Sequence, residues 1–472
     1  MKGAEAPTLA SRLDVLPVRG WHWYLMAMCF LALMFDSFDT RTVANVLPKL
    51  VREWGINDAQ IGLIASAGFF GMLVGAIVFG FIADMIGRLK VFAIALVWYS
   101  LFTGSLALTK NFHQIIVMRF IEGLGLGGIL PVAASYLAEY IPSKRRGQFV
   151  SYFAAGANFG TTLAYVVGFT IIIPYGWKWA FVLGIVPAAL FAFVWKGLPE
   201  SVRYLAQKGK VTEAVKLVEK LEQRTIGKVT VPHQEAVAAA QTSKSLETEV
   251  RYRDLFKGDI AKVTIMLALL MFSLNYAMFG LEMWLPVLFT RELHWSLAVG
   301  FKLMALSTLI GASGQAIAGY TCDHWGRRIS ITCAFLGYGV MAYVLFLLCK
   351  GRPALGCVAL IVVNILVGAS WGSLYAYAAE NFPTKVRATG TGFVQSVGRC
   401  GGIVGPAVVG LLYARVGMTW ILHINFLVFC VAVGVMLLVG RETKRKSLEE
   451  ISRMHMGETR EEKAWAADPA AG

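Results

Sequence analysis

The residues best able to do chemistry here are charged side chains inside long apolar stretches. Asp36 and Asp39 lie in the first stretch, Arg119 and Glu122 in the fourth, and Arg399 in the eleventh. A charge in hydrocarbon costs roughly 2.5–3.5 kcal/mol on insertion scales, so charges at such depth usually have a function. Each is therefore a candidate for handling an ion or a solute.

Asp36 and Asp39 are three residues apart, which places both on one face of a helix. Two carboxylates close together in a poorly solvated site repel each other, which favours a proton on at least one of them. Such a pair suits loading of a proton on one side of a membrane and release on the other. A helix-pairing contact and a site for a cationic substrate are the alternatives.

Arg119 and Glu122 are also three residues apart. Arg119 lies in the predicted outer half of its stretch, as Asp36 and Asp39 do, so an ion pair between Arg119 and one aspartate is geometrically reasonable. Protonation of that aspartate would break the pair and release the arginine, which gives a two-state element for proton coupling. The alternative is a static ion pair between Arg119 and Glu122.

Arg399 is the strongest candidate for binding an anionic solute. It lies about twelve residues, or roughly 18 Å, into its stretch, and no acidic residue of the sequence lies within one helical turn of it. A guanidinium group can hold a carboxylate through two parallel hydrogen bonds. The alternative is neutralisation by a carboxylate distant in sequence. Glycines at 398, 401, 402 and 405 would let a ligand or a helix approach closely.

Aromatic and amide side chains near the span centres could hold the rest of such a solute. An aromatic ring can stack on a flat solute, although each such residue alone is more often a packing residue. The candidates are Asn275, Tyr276, Trp284, Trp371, Tyr375, Tyr377 and Gln395.

The elements that position these residues follow from composition. Of 472 residues, 57% are hydrophobic and 15% charged, whereas soluble domains carry about 25% charged residues. The apolar residues form runs long enough to cross about 30 Å of hydrocarbon as helices. We predict an all-α membrane protein with twelve transmembrane helices, at 21–46, 59–84, 88–109, 112–139, 147–173, 177–197, 260–290, 297–323, 327–349, 353–380, 387–414 and 418–440.

A polar connection at 198–259 divides these spans into two sets of six. The predicted parts are a tail (1–20), a six-helix bundle (21–197), the central loop (198–259), a second bundle (260–440) and a second tail (441–472). The formal charge is +15, and most Lys and Arg residues lie in alternate connections, the central loop and the tails. This distribution predicts cytoplasmic termini in a plasma (inner) membrane, and it argues against nucleic-acid binding.

The sequence predicts neither an enzyme nor a cofactor site. No nucleophile–base arrangement or Walker motif stands out, and the seven cysteines lack metal-ligand spacing. Residues 123–128 read GLGLGG, but they follow no predicted strand and lie within an apolar span. We therefore interpret them as helix-packing residues and not as a dinucleotide motif.

Two loop motifs occur twice, six spans apart. Residues 80–88 read GFIADMIGR and residues 319–327 read GYTCDHWGR, while 139–147 read EYIPSKRRG and 380–388 read ENFPTKVRA. Duplication at this period indicates two related halves. The charged residues of these motifs are predicted to form gates that pair across the halves and separate: Asp84, Arg88, Glu139, Arg145, Arg146, Asp323, Arg327, Glu380 and Arg387.

With these motifs, the chain resembles the major facilitator superfamily over essentially residues 20–440. The resemblance implies two pseudo-symmetric six-helix bundles around a central cavity, alternating between inward-open and outward-open states. The segment LPESVRYL at 198–205 is similar to a segment after span six of sugar and organic-ion porters.

Three further features narrow the resemblance: DSFD at 36–39, ENFPTKVRATG at 380–390 and GRCGG at 398–402. They resemble the group of aromatic acid:proton symporters, bacterial niacin transporters and synaptic-vesicle-type relatives. This resemblance implies proton-coupled import of a small aromatic monocarboxylic acid, such as nicotinate or a benzoate-type acid. We expect the protein to be a monomer. The alternatives are an organic-cation exporter of the same fold and a non-transporting ligand sensor.

Overall fold

The computed structural model describes residues 8–243, 252–383 and 386–444, and within these ranges every regular element is helical. The helices of the first part are α1 (Leu9–Asp14), α2 (Gly20–Trp54), α3 (Asp58–Ile86), α4 (Arg88–Leu106), α5 (Phe112–Tyr140), α6 (Ser143–Val167), α7 (Ile173–Tyr175), α8 (Trp177–Leu183), α9 (Leu190–Gly197), α10 (Val202–Gln207), α11 (Val211–Ile226) and α12 (His233–Ser243). Those of the second part are α13 (Gly258–Glu282), α14 (Leu285–Arg291), α15 (Leu297–Gly311), α16 (Ser313–His324), α17 (Arg327–Tyr343), α18 (Pro353–Asn381) and α19 (Arg387–Val439).

The helices confirm the all-α membrane fold. Ten helical segments of the described chain are long and apolar enough to cross a membrane. One of them contains α19, in which non-helical backbone at Gly417 (φ 75°, ψ 175°) separates two spans. The 35-residue helix α2, which carries Asp36, Asp39 and Arg41, is long enough to cross a membrane as well. Counting both parts of α19 together with α2 gives the twelve predicted spans.

The chain folds as two compact units. The first comprises Met1–Thr248 with Leu297–Ala305, and the second comprises Glu249–Ser296 with Leu306–Gly472. In the first unit α3 and α4 pack on α5, and α2 packs on α6. In the second unit α13 packs on α19, and α18 packs on α16 and α17. These pairs place the charged spans of each unit against neighbours distant in sequence.

Small residues let α3 and α5 approach closely, as predicted for the GLGLGG segment. A methyl group at Gly123 would overlap the carbonyl oxygen of Gly68, and one at Gly127 would overlap that of Met72. The segment lies in the middle of α5, with no strand before it. It is therefore a helix-packing element.

Helix α11 of the central loop is amphipathic. Its buried face is formed by Val211, Ala214, Val215, Val218 and Leu221, a spacing of one, three or four residues that follows the helical repeat. This face packs beside α1, so the N-terminal segment and the central loop form a layer outside the spans of the first unit.

Candidate functional site

A buried cluster of charges joins three spans of the first unit. Arg119 on α5 donates from Nη1 to Asp39 Oδ2 of α2 at 3.3 Å, and the same nitrogen donates to Glu122. Glu122 also accepts from the hydroxyl of Thr103 on α4 at 2.7 Å. Asp39 and Glu122 have no exposed surface, and Arg119 is 2% exposed. The predicted Arg119–aspartate contact is therefore present, and so is the alternative contact with Glu122.

The charges of this cluster do not balance if every group is ionised. One guanidinium group would face two buried carboxylates, and Asp39 Oδ1 has no hydrogen-bond partner in the described chain. An unpaired charge is costly in such surroundings, which favours a proton on one carboxyl group. Asp36, three residues before Asp39, is half-buried.

In the second unit, Arg399 lies on α19, which contacts α18, the helix that carries an aromatic pair. Arg399 is half-buried. Tyr375 stacks on Trp371, with ring centroids 5.3 Å apart and an angle of 23° between the rings. Gln395, one turn before Arg399, is also half-buried. A guanidinium group and a stacked aromatic pair on two contacting helices match the two ends of an aromatic carboxylate.

Four other predicted binding residues are largely committed to packing. Trp284 is fully buried and donates to the carbonyl oxygen of Pro406 at 3.2 Å. Tyr377 is fully buried and donates to the carbonyl oxygen of Arg441 at 2.9 Å. We therefore remove these two from the candidate site.

Asn275 and Tyr276 are 6% exposed. The amide of Asn275 donates to Met271 of its own helix at 2.8 Å, and Tyr276 stacks on Phe272. The glycines near Arg399 explain this burial, since methyl groups at Gly401 and Gly405 would overlap the backbone of α13. Those glycines serve the approach of two helices and not of a ligand.

The predicted gate residues of the first unit form a network at the ends of α4 and α5. Arg88 donates to Glu139 Oε2 at 3.2 Å. Glu139 also accepts from the hydroxyl of Ser201 at 2.6 Å and from the backbone N–H of Arg203 at 3.0 Å. The segment at 198–205 is thereby attached to both repeated motifs.

The second unit repeats this network. Arg327 donates to Glu380, with its Nη2 2.8 Å from Oε1, and Thr443 donates its hydroxyl proton to Glu380 at 2.5 Å. Arg327 also contacts Asp323 at 3.2 Å. Thr443 is thus the counterpart of Ser201.

Sequence reasoning missed two glutamates that complete these networks. Glu200 accepts the backbone N–H of Leu89 at 3.0 Å, at the start of α4. Glu442 accepts the backbone N–H groups of Arg327 and Arg328 at 2.9 and 3.1 Å, at the start of α17. Burial alone would raise the pKa of Glu442, but these and neighbouring backbone hydrogen bonds outweigh it and hold the pKa below its usual value.

The signal for both glutamates is in the sequence, since Glu-Ser follows the sixth span and Glu-Thr follows the twelfth. Each lies beside a glycine of positive φ, Gly87 (110°) or Gly326 (96°). A methyl group on either glycine would meet the adjacent glutamate side chain. The second glycine of each repeated motif therefore makes room for the capping carboxylate.

The remaining gate residues differ in surroundings. Arg146 and Arg387 each donate to the carbonyl oxygen five residues earlier, and Arg146 also pairs with Asp14 at 2.7 Å. Asp84 and Arg145 are exposed. The ion pairs of Arg88 with Glu139 and of Arg327 with Glu380 each lie within one unit, and pairing across the halves stays a prediction.

Two repeated helical units with charged networks at the ends of their spans define a multi-pass membrane transporter. The chain matches the sugar (and other) transporter family over residues 18–455, and it belongs to that family. It is not an enzyme.

Relatives agree with this assignment, and a solved structure agrees with the fold. The chain is 33% identical to the niacin transporter NiaP of Acinetobacter baylyi, over 94% of this chain and 99% of that one. It is 29% identical to the 4-hydroxybenzoate transporter PcaK of the same organism, over 89% and 92%. The fold is similar to that of the xylose transporter XylE from E. coli in a partially occluded inward-open conformation, with a TM-score of 0.74, 18% identity and coverage of 91% and 100%.

Proposed function

We propose that this protein imports a small aromatic monocarboxylic acid, of the nicotinate or benzoate type, together with protons. The observation that carries the proposal is the buried cluster of Asp39, Arg119 and Glu122, in which one cation faces two carboxyl groups. The names of two relatives, a niacin and a 4-hydroxybenzoate transporter, support the class of substrate.

The proton step uses Asp39 and Arg119. With Asp39 ionised, its carboxylate holds the guanidinium group of Arg119; with Asp39 protonated, the attraction weakens and Arg119 keeps Glu122 as its partner. The two protonation states therefore favour two arrangements of α2 against α5. Glu122, already held by Thr103, is the fixed member of the cluster. Asp36, which is half-buried, is the proposed route by which protons reach Asp39.

The substrate step uses the second unit. Arg399 holds the carboxylate, the stacked rings of Trp371 and Tyr375 contact the aromatic body, and Gln395 orients a polar ring atom. The ion pairs of Arg88 and Arg327 open and close during alternating access.

The same proposal covers topology and state. We place the protein in the inner (plasma) membrane as a monomer, with both termini and the central loop in the cytoplasm, because Lys and Arg are concentrated in those segments. The proposed division remains two six-helix bundles, 21–197 and 260–440.

The competing proposal of organic-cation export has less support. A cation site would need a carboxylate free to receive the substrate charge. At Asp39, the guanidinium group of Arg119, 3.3 Å away, already lies where the cationic group of such a substrate would bind.

Uptake by purified protein in lipid vesicles tests the proposal. We expect labelled nicotinate or benzoate to accumulate when an inward proton gradient is imposed, and not when a protonophore collapses it. Vesicles without protein are the control. If neither acid accumulates, the substrate assignment is wrong; if uptake ignores the protonophore, the coupling is wrong.

A further inference from the structure

We propose a second ligand site on this protein, a cavity outside the spans of the first unit that binds a small aromatic carboxylate. The cavity has a volume of about 150 Å³ and lies between α1, the start of α2, the end of α5 and α11. None of the residues named above for proton or substrate handling lines it. The inference does not depend on the proposed function.

A buried hydrogen-bond donor lines the cavity. His22 is 1% exposed, and its Nδ1 accepts the backbone N–H of Arg19 at 3.1 Å. That bond leaves the ring proton of the neutral imidazole on Nε2. Nε2 is buried and has no hydrogen-bond partner within the described residues. Buried donors are rarely left unpaired. Nε2 has almost no surface open to water, so an acceptor in the cavity would reach it only if the ring or its neighbours moved.

The charge of the cavity favours an anion. Arg19 and Arg224 line it, both exposed, and neither makes an ion pair in the described chain. The nearby carboxylate of Glu222 is already occupied, since Arg12 donates to both of its oxygens at 2.9 and 2.7 Å. Of the described residues that line the cavity, none is acidic.

The remaining wall is apolar and partly aromatic. Leu13, Leu16 and Leu221 line it together with Trp21 and Tyr140. Apolar cavities of about 150 Å³ in other proteins admit a benzene ring. A ring with one carboxylate would place its apolar body against these side chains and its charge beside the two arginines. Inorganic phosphate would leave the apolar wall unused.

The site is connected to the gate network through one side chain. Tyr140 lines the cavity, and its hydroxyl donates to the carbonyl oxygen of Glu200 at 2.6 Å. The carboxylate of Glu200 caps α4 at Leu89. A ligand that fixes α1, α11 and Tyr140 would therefore stabilise one arrangement of this end of the unit.

Hydrogen–deuterium exchange on the full chain in detergent tests the inference, with sodium benzoate as the probe. The protein carries Arg399→Ala, so that binding at the proposed transport site is weakened. We expect benzoate to slow exchange at least two-fold in α1, at the start of α2 and in the last turns of α11. Sodium acetate lacks the ring and benzyl alcohol lacks the charge, so neither should protect these segments at the same concentration.

The double variant Arg19→Gln, Arg224→Gln should lose the protection, because it removes both positive charges of the cavity. Both side chains are exposed, so their replacement should leave the fold intact. Lys220→Gln, on an exposed position of α11 outside the cavity, is the matched control and should keep it. Absence of protection at saturating benzoate would overturn the site. Equal protection by acetate or phosphate, or protection that survives in the double variant, would overturn the assigned ligand class.

Discussion

The guanidinium group of Arg119 lies 3.3 Å from the carboxylate of Asp39, a residue 80 positions away in the chain. This contact joins α5 to α2 in the buried interior of the first unit. Glu122, one turn further along α5, competes for the same nitrogen. A buried cation shared by two carboxyl groups responds to the gain or loss of one proton. The first prediction follows from that property.

Replacement Asp39→Asn should spare substrate binding and abolish gradient-driven accumulation. Asparagine has nearly the same size but cannot ionise, and Arg119 keeps Glu122 as a partner. Binding is measured by thermal shift with nicotinate or benzoate, and accumulation in vesicles with an imposed proton gradient. Glu213→Gln, an exposed glutamate of α11, is the control and should accumulate substrate normally. Wild-type accumulation by Asp39→Asn would remove Asp39 from the proton step.

Replacement Arg399→Ala should weaken binding of an aromatic carboxylate by about 10- to 150-fold, because charge-assisted hydrogen bonds contribute about 1.5–3 kcal/mol. The affinity of Arg399→Lys should lie between those of the wild type and Arg399→Ala, since lysine keeps the charge but loses the planar pair of donors. Titration calorimetry measures both. Arg415→Ala removes an exposed arginine of the same helix and should bind as the wild type does. Unchanged affinity in Arg399→Ala would contradict the carboxylate-binding role.

The two glycines of the motif at 80–88 should differ in their tolerance of alanine. Gly87 has φ 110°, and an added methyl group would meet Glu200, whereas Gly80 has open space around the same position. We expect Gly87→Ala to lower the midpoint of thermal unfolding and the rate of uptake, and Gly80→Ala to change neither appreciably. With ψ 151°, this backbone conformation is essentially restricted to glycine and costs roughly 1–3 kcal/mol for a residue with a Cβ. Equal effects of the two substitutions would show that capping by Glu200 does not constrain the motif.

The ion pair between Arg12 and Glu222 should make stability depend on pH. Burial alone would raise the pKa of Glu222, but hydrogen bonds from Arg12 and Thr230 outweigh it and hold the pKa below its usual value. A carboxyl group with a lowered pKa stabilises the fold above its unfolded pKa, about 4.3, and loses that contribution as the pH falls through its folded pKa.

The midpoint of thermal unfolding should therefore be higher for the wild type than for Glu222→Gln at neutral pH. The difference should shrink as the pH falls below about 4. Differential scanning fluorimetry over this range measures it. A difference that stays constant with pH would mean that the ionised form of Glu222 does not account for the stabilisation.

Much of the architecture was predictable from the chain alone. Crossing about 30 Å of hydrocarbon requires some twenty apolar residues in one helix, so each span can be recognised as a continuous apolar segment of the sequence. The deep charges at Asp39, Arg119 and Arg399 stand out against that background because burial in lipid makes a charge expensive. The duplicated motifs located the charged ends of the spans, and their partners Glu139 and Glu380 were predicted with them.

The tertiary structure decided which side chains share a site. Trp284 and Tyr377 look like binding residues in the sequence. In the structure both are buried and donate to the carbonyl oxygens of Pro406 and Arg441, which is why we leave them out of the candidate site. The caps made by Glu200 and Glu442 join segments 111 and 115 residues apart, and the cavity beside His22 combines four helices. Hydropathy and helical period describe neighbours within a few turns. Contacts between distant segments depend on how helices pack, which only the folded chain specifies.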